Sequence, residues 1–334
     1  VSIAVPSRTR AALASVLVIA TAGLGACDKA EQETNAAAKP VELSRYLPQD
    51  SQLIQTVDVT KARQELDLPE DANALPTSNK TFPRAKSPDA QLFEITSRAY
   101  PDVAGVFASE FNGRGASPLD GTLIRAAAGN GNASIVSTAE PLDDIERKLE
   151  LAGYSRKGKT YVAGQDTPEA ASRFVADAGS GRFVFAREEE VAQEILRRIR
   201  NDASPGEAAE ALEPAAGSVR LAMTNEDKRS CVTAFSAAME ATGEGAALAL
   251  IISGDKPDPD LFDPNAPKGI ATGTPTVLVD ALIVPIRVKK PLRDGLDALE
   301  QVVSTSKAEI IKRGEHLADL DPLVPPPFKA YDCP

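Results

Sequence analysis

Thr122-Leu-Ile-Arg-Ala-Ala-Ala-Gly-Asn-Gly-Asn-Ala-Ser-Ile-Val-Ser-Thr138 holds two apolar runs, 122–128 and 133–138, separated by Gly129-Asn130-Gly131-Asn132. The Asn-Gly step supplies the positive φ that a tight reversal requires, so the stretch predicts an antiparallel β-hairpin. A helix opened by Pro141 follows. It carries Leu142, Ile145, Leu149 and Ala152 on one face and Gly153 as its stop. Strands are expected at 159–163 and 182–186. A helix over 188–200 then places Glu188, Glu189 and Glu190 at its start and Arg197, Arg198 and Arg200 at its end, as its dipole favours.

Upstream of the hairpin, Leu53-Ile-Gln-Thr-Val-Asp-Val59 alternates as a strand. Residues 67–90, rich in Pro, Asp, Ser and Asn, read as loop, and 91–99 as a short helix. Downstream, a second pass is expected: strand 218–223, helix 225–241, strands 246–253 and 276–288, and helix 292–312. Both passes read β-α-β-β-α. The fold class is therefore α+β, with mixed, largely antiparallel sheets, helices packed on one side and a candidate tandem pair of units. The organisation expected is a leader over 1–26, a tether over 27–42, a first lobe over 43–213, and a second over 214–334 with a Pro-rich tail.

The leader decides the compartment. Arg8 and Arg10 precede the apolar run Ala11–Ala22, and small residues lead to Leu24-Gly25-Ala26-Cys27. The order is that of a secretory signal, and the run is short of the ~20 residues a bilayer-spanning helix needs. This segment resembles the lipobox leader of bacterial lipoproteins. The resemblance implies that Cys27 becomes the first residue of the mature chain and carries the acyl chains that anchor it. Asp28 directly after it resembles an inner-membrane retention signal, with the outer membrane kept open. Leu47-Pro48-Gln49-Asp50, leading into the strand that ends at Val57-Asp58-Val59, is similar to the opening of envelope lipoproteins and implies no activity. The expected location is the cell membrane, lipid-anchored and facing the extracytoplasmic side.

The chain of 334 residues is 43% hydrophobic, enough for a buried core. Its formal charge of −11 drops to about −13 once Arg8 and Arg10 leave with the leader. So acidic a surface repels nucleic acid and anionic lipid alike, and neither is expected as a partner of the body. With Cys27 lipidated, Cys231 and Cys333 form an even pair in an oxidising compartment and are expected to be bonded. In the chain-entropy model, closing a loop of about a hundred residues would stabilise the fold by ~4–5 kcal/mol.

Four motifs suggest chemistry and fall short of it. Gly153-Tyr-Ser-Arg-Lys-Gly-Lys-Thr160 matches the P-loop pattern, but a helix precedes it and a strand follows, the reverse of what phosphate cradling requires. Ser304-Thr-Ser-Lys307 matches the Ser-x-x-Lys of penicillin-recognising enzymes, without the downstream Lys-Thr-Gly that clamps substrate. His316 is the sole histidine, so a Ser-His-Asp triad would depend on it, and no Gly-x-Ser-x-Gly elbow accompanies it. Asp255, Asp258, Asp260 and Asp263 concentrate oxygen donors suited to calcium, yet prolines stiffen the loop and no bidentate Glu closes it.

These observations favour a non-enzymatic lipoprotein without cofactor, held to the membrane by its lipid and presenting a surface to an envelope protein. A solute-binding lipoprotein taking a small ligand is the alternative. The absence of Trp and an aromatic content of 4% argue against a sugar-stacking cleft. An envelope serine hydrolase built on Ser304 and Lys307 comes third.

Overall fold

The 122–138 stretch folds as expected. In the computed structural model, strands β2 (Ile124–Gly129) and β3 (Ala133–Thr138) pair antiparallel, with Ala127 opposite Val136 and Gly129 opposite Ser134. Gly131 takes φ +86, and the Asn130 side chain accepts from the backbone N–H groups of Asn132 (3.1 Å) and Ala133 (2.9 Å), which locks the turn.

The structure describes residues 39–75, 87–96, 119–164, 172–213, 217–224, 232–242, 245–254, 270–274, 276–277 and 281–288. All belong to one compact unit, Ala37–Pro334. In chain order the other strands are β1 (Leu53–Asp58), β4 (Tyr154–Lys157), β5 (Thr160–Ala163), β6 (Phe174–Gly179), β7 (Arg182–Ala186), β8 (Val219–Thr224), β9 (Val232–Thr242), β10 (Gly245–Gly254), β11 (Ile270–Thr272), β12 (Thr276–Val277) and β13 (Ala281–Val288). They form a single sheet in the order β11-β13-β10-β9-β8-β1-β2-β3-β7-β6-β5-β4, with β12 also on β13. Its described ladders are antiparallel throughout. The helices are α1 (Pro40–Ser44), α2 (Val59–Glu65), α3 (Pro88–Thr96), α4 (Leu142–Leu151), α5 (Glu189–Arg200) and α6 (Glu207–Glu210). The protein is α+β.

The helices flank both faces of the sheet, where one covered face was expected. On the first face, Ala62 of α2, Leu92 of α3, and Ile145 and Leu149 of α4 pack with Val57, Ala127, Val136, Phe183 and Phe185. On the second, Leu43 of α1, Ala192 and Ile195 of α5, and Ala208 and Ala209 of α6 pack with Ile54, Ala128, Ile135, Val184 and Ala222. All six residues of β3 are buried. A strand covered on both faces loses the polar alternation that marks a half-exposed sheet, which is why one covered face was a poor reading. The alanines of β2 supply small side chains on both faces, so helices can approach closely.

The second pass departs most from expectation. Residues 232–242, read within a helix over 225–241, form β9, hydrogen-bonded on one side to β8 and on the other to β10. Alanine's helix propensity is worth only tenths of a kcal/mol per residue, and two flanking ladders outweigh it. The strand expected over 276–288 is divided into β12 and β13. Strands β4 and β6 extend the first pass to β3-α4-β4-β5-β6-β7-α5, and among the described residues the second pass runs β8-β9-β10-β11-β12-β13. The β1–β8 ladder carries the sheet across the boundary expected at 213/214. Helix α1 opens at Pro40, which is buried, inside the stretch read as tether. Helix α2 continues directly from β1, with the Asp58 carboxylate accepting from the Lys61 N–H at 2.8 Å as its cap. The expected helix 292–312 lies outside the described residues.

Gly181 shows how tightly the hairpin joining β6 to β7 is held. Its φ is +68, and a Cβ there would stand 2.6 Å from the Thr138 carbonyl oxygen. Gly181→Ala should therefore cost at least about 1–3 kcal/mol, read as a lowered urea midpoint with unchanged slope. An unchanged midpoint would show that the hairpin relaxes freely.

Candidate functional site

Charged side chains that the fold buries or gathers are the places where chemistry could be supported, and four such groups stand out. The first is Arg63 on α2, which is 8% exposed. Its guanidinium donates to the carbonyls of Ala72 (3.1 Å), Ile124 (3.0 Å), Gly121 (2.9 Å) and Thr122 (3.1 Å). The fork geometry of arginine suits this use, since its fixed donors reach carbonyls of two loops and of the first residue of β2 at once. Arg63 is thus a rivet between α2 and two loops.

The second group joins α2 to the β8–β9 region. Lys61 Nζ lies 3.3 Å from Glu65 and 3.2 Å from Glu240, and the Ser218 hydroxyl donates to Glu65. Serine, lysine and carboxylate suggest nucleophile, base and orienter, but Ser218 is 1% exposed and its oxygen also lies on the Met239 carbonyl. A substrate carbonyl has no approach to it. Nearby on β8, burial lowers the pKa of Arg220 from its ordinary value, partly countered by the Asp58 charge.

The third lies between α4 and the β4–β5 hairpin. Tyr161 donates its hydroxyl to Glu146, Arg156 bonds the other Glu146 oxygen at 2.9 Å, and the guanidinium stands 5.9 Å from the Tyr161 ring centre. Burial first, then the hydrogen bond to Glu146 and that residue's negative charge, push the Tyr161 pKa well above the ordinary phenol value, while Arg156 opposes them. The folded state thus favours the neutral phenol. That contribution to stability is fully present below the unfolded pKa near 10 and is lost as pH rises above it. An alkaline absorbance titration should show phenolate that emerges only on unfolding and is absent from Tyr161→Phe. Simultaneous ionisation of all five tyrosines near pH 10 would contradict this.

The fourth surrounds Tyr46, just after α1. Arg45 and Arg182 place their guanidiniums 5.9 and 6.0 Å from its ring centre, and its hydroxyl donates to Asp202 at 3.2 Å. Arg45 approaches Asp202 at 3.8 Å. The buried Arg198, at the end of α5, donates to the carbonyls of Arg45 (2.8 Å) and Ser204 (2.7 Å), fixing α5 to α1. Burial lowers its pKa, Glu194 raises it and Arg197 lowers it further. The sequence indicates the arginines closing α5, since a helix C-terminus attracts them. It gives no cue to Arg45 and Arg182, which only the fold brings together.

Cys27, Cys231, Cys333, Asp255, Asp258, Asp260, Asp263, Ser304, Lys307 and His316 lie outside the described residues. The P-loop-like segment is described: α4 ends at Leu151, Gly153 takes φ +88, β4 follows, and Gly158 at φ +67 turns the chain into β5. With a strand where a phosphate-binding helix would begin, the segment is a β-hairpin. Among the described residues, no three of His, Cys, Asp and Glu converge as metal ligands.

No family model and no curated protein matches the chain. Among solved structures, crystal form I of TP0453 is similar at a TM-score of 0.39 and 10% identity, over 81% of this chain and 98% of that one. Crystal form III of TP0453 is similar at 0.39 and 11%, over 77% and 97%. Similarity at this level carries neither fold nor function across.

Proposed function

We propose that the protein is an envelope lipoprotein, anchored by acyl chains on Cys27, whose α+β body acts on the extracytoplasmic side by presenting a surface rather than by catalysis. The observation that carries this reading is Leu24-Gly25-Ala26-Cys27 closing a leader with basic, apolar and small-residue regions in order. The described body, packed from Pro40 onward, is the part that such an anchor would hold. No helix among the described residues is long and apolar enough to cross a membrane. Anchoring then falls to the lipid, and more than one acyl chain makes that stable. The clusters around Arg63, Lys61 and Tyr161 are bound up in the fold, which leaves the surface as the part free to act. Cys231 and Cys333 are proposed to be bonded, in keeping with the compartment.

Growth of a bacterial host with labelled palmitate tests the reading. The full chain should take up label and Cys27→Ser should not. Label absent from both, or retained by Cys27→Ser, would remove the basis of the proposal.

A further inference from the structure

Cations gather at one corner of the described body. Gly179 pairs with Arg182 where β6 meets β7, and the Asp177 N–H bonds the Lys159 carbonyl at 3.0 Å. The β6–β7 turn and the β4–β5 turn therefore project from the same end of the sheet. Helix α5 leaves β7 at the opposite end and returns, so Arg197 and Arg200 close it at the Arg182 end, beside Arg45 and Tyr46. This corner presents exposed Lys157, Lys159, Arg197 and Arg200 and half-buried Arg45 and Arg182, against Asp177 and Asp202, while Asp58 and Asp120 stand at the same end of the sheet but across it, beside β1 and β2. On the first face, Asp143, Asp144 and Glu146 of α4 are matched by Arg147 and Arg156 except for one charge. The opposite end carries exposed Glu188, Glu189 and Glu190 with Arg173 and Arg187.

The helix dipole accounts for the arginines of α5. It does not account for Arg45, Lys157, Lys159 and Arg182, which stand on other elements of an acidic chain. Tyr46 lies among these cations as a partly exposed amphipathic ring, the side chain that settles at lipid headgroups. Lys39, where the described chain starts, is only seven residues before Tyr46, about 10 Å along a helical path. The first described residue of the body thus lies close in sequence to the basic corner.

From this juxtaposition we propose that the basic corner, centred on Tyr46 with Arg45, Arg182, Arg197 and Arg200 and flanked by Lys157 and Lys159, docks on the anionic headgroups of the membrane that holds the lipid anchor. The docking turns the end that carries Glu188, Glu189 and Glu190 outward. The inference deepens the lipoprotein reading by giving the anchored body an orientation. The net charge, about −13 without Arg8 and Arg10 of the leader, argues against lipid binding by the surface as a whole but not by this corner, because screening over ~8 Å at physiological ionic strength confines the interaction to the facing residues.

The test uses the chain from Cys27 onward with Cys27→Ser, so that failure of the anchor and failure of the docking surface are read separately. Flotation is measured with phosphatidylcholine vesicles and with vesicles containing phosphatidylglycerol. Binding should require phosphatidylglycerol, weaken with salt, and fall about fivefold per cation removed in Lys157→Gln with Lys159→Gln and in Arg197→Gln with Arg200→Gln. The equal charge change Arg173→Gln with Arg187→Gln should leave it unchanged. No binding to phosphatidylglycerol vesicles at low salt, or equal losses in all three double variants, would overturn the proposal.

Discussion

Arg63→Met is expected to lower the free energy of unfolding by about 3–5 kcal/mol, among the largest effects of any single substitution in this chain. Methionine preserves much of the volume and removes every donor. The carbonyls of Ala72, Thr122 and Ile124 then lose the guanidinium donor, while that of Gly121 keeps the Ala74 N–H at 3.1 Å. Each buried acceptor left unpaired costs about 1–3 kcal/mol, and relaxation of the two loops toward water recovers part of the total. Arg63→Lys should fall between wild type and Arg63→Met, because an ammonium offers three donors and no planar fork. Urea unfolding monitored by circular dichroism measures the series. Equal midpoints for Arg63→Met and wild type would show that the loops hold without the rivet.

The second large effect is one of location. On fractionation of a bacterial host, the wild-type chain should partition with membranes and Cys27→Ser should move to the soluble fraction. At ~0.8 kcal/mol for each buried CH₂, acyl chains contribute far more than the basic corner can. Retention of Cys27→Ser in the membrane fraction would mean that something other than the lipid holds the protein.

How much could be read in advance follows from which interactions are local. The β2–β3 hairpin was legible because Asn130 and Gly131 set the turn within four residues. Helices α4 and α5 were legible because Ile145 with Leu149, and Ala192 with Ile195, recur at helical spacing between recognisable ends. Strand β9 was hidden because Ala234, Ala237, Ala238 and Ala241 carry a local preference for helix, overridden only by neighbours distant in sequence. Helix α2 was hidden by its brevity and by Val59-Thr60, a β-branched pair that prolongs the strand pattern of β1. In the clusters, Arg63 carries no sign of burial in its sequence neighbourhood, and Arg45 meets Arg182 only through the ring of Tyr46.

The mass of the denatured, reduced protein extracted from bacterial membranes is the measurement to make. The proposed anchor predicts a chain that begins at Cys27 and is heavier than its amino acids by the acyl groups on the cysteine. Repeating it without reductant should give two hydrogens fewer, from the Cys231–Cys333 bond. A chain that still carries residues 1–26, or one that begins elsewhere with an unmodified Cys27, would contradict the lipoprotein account.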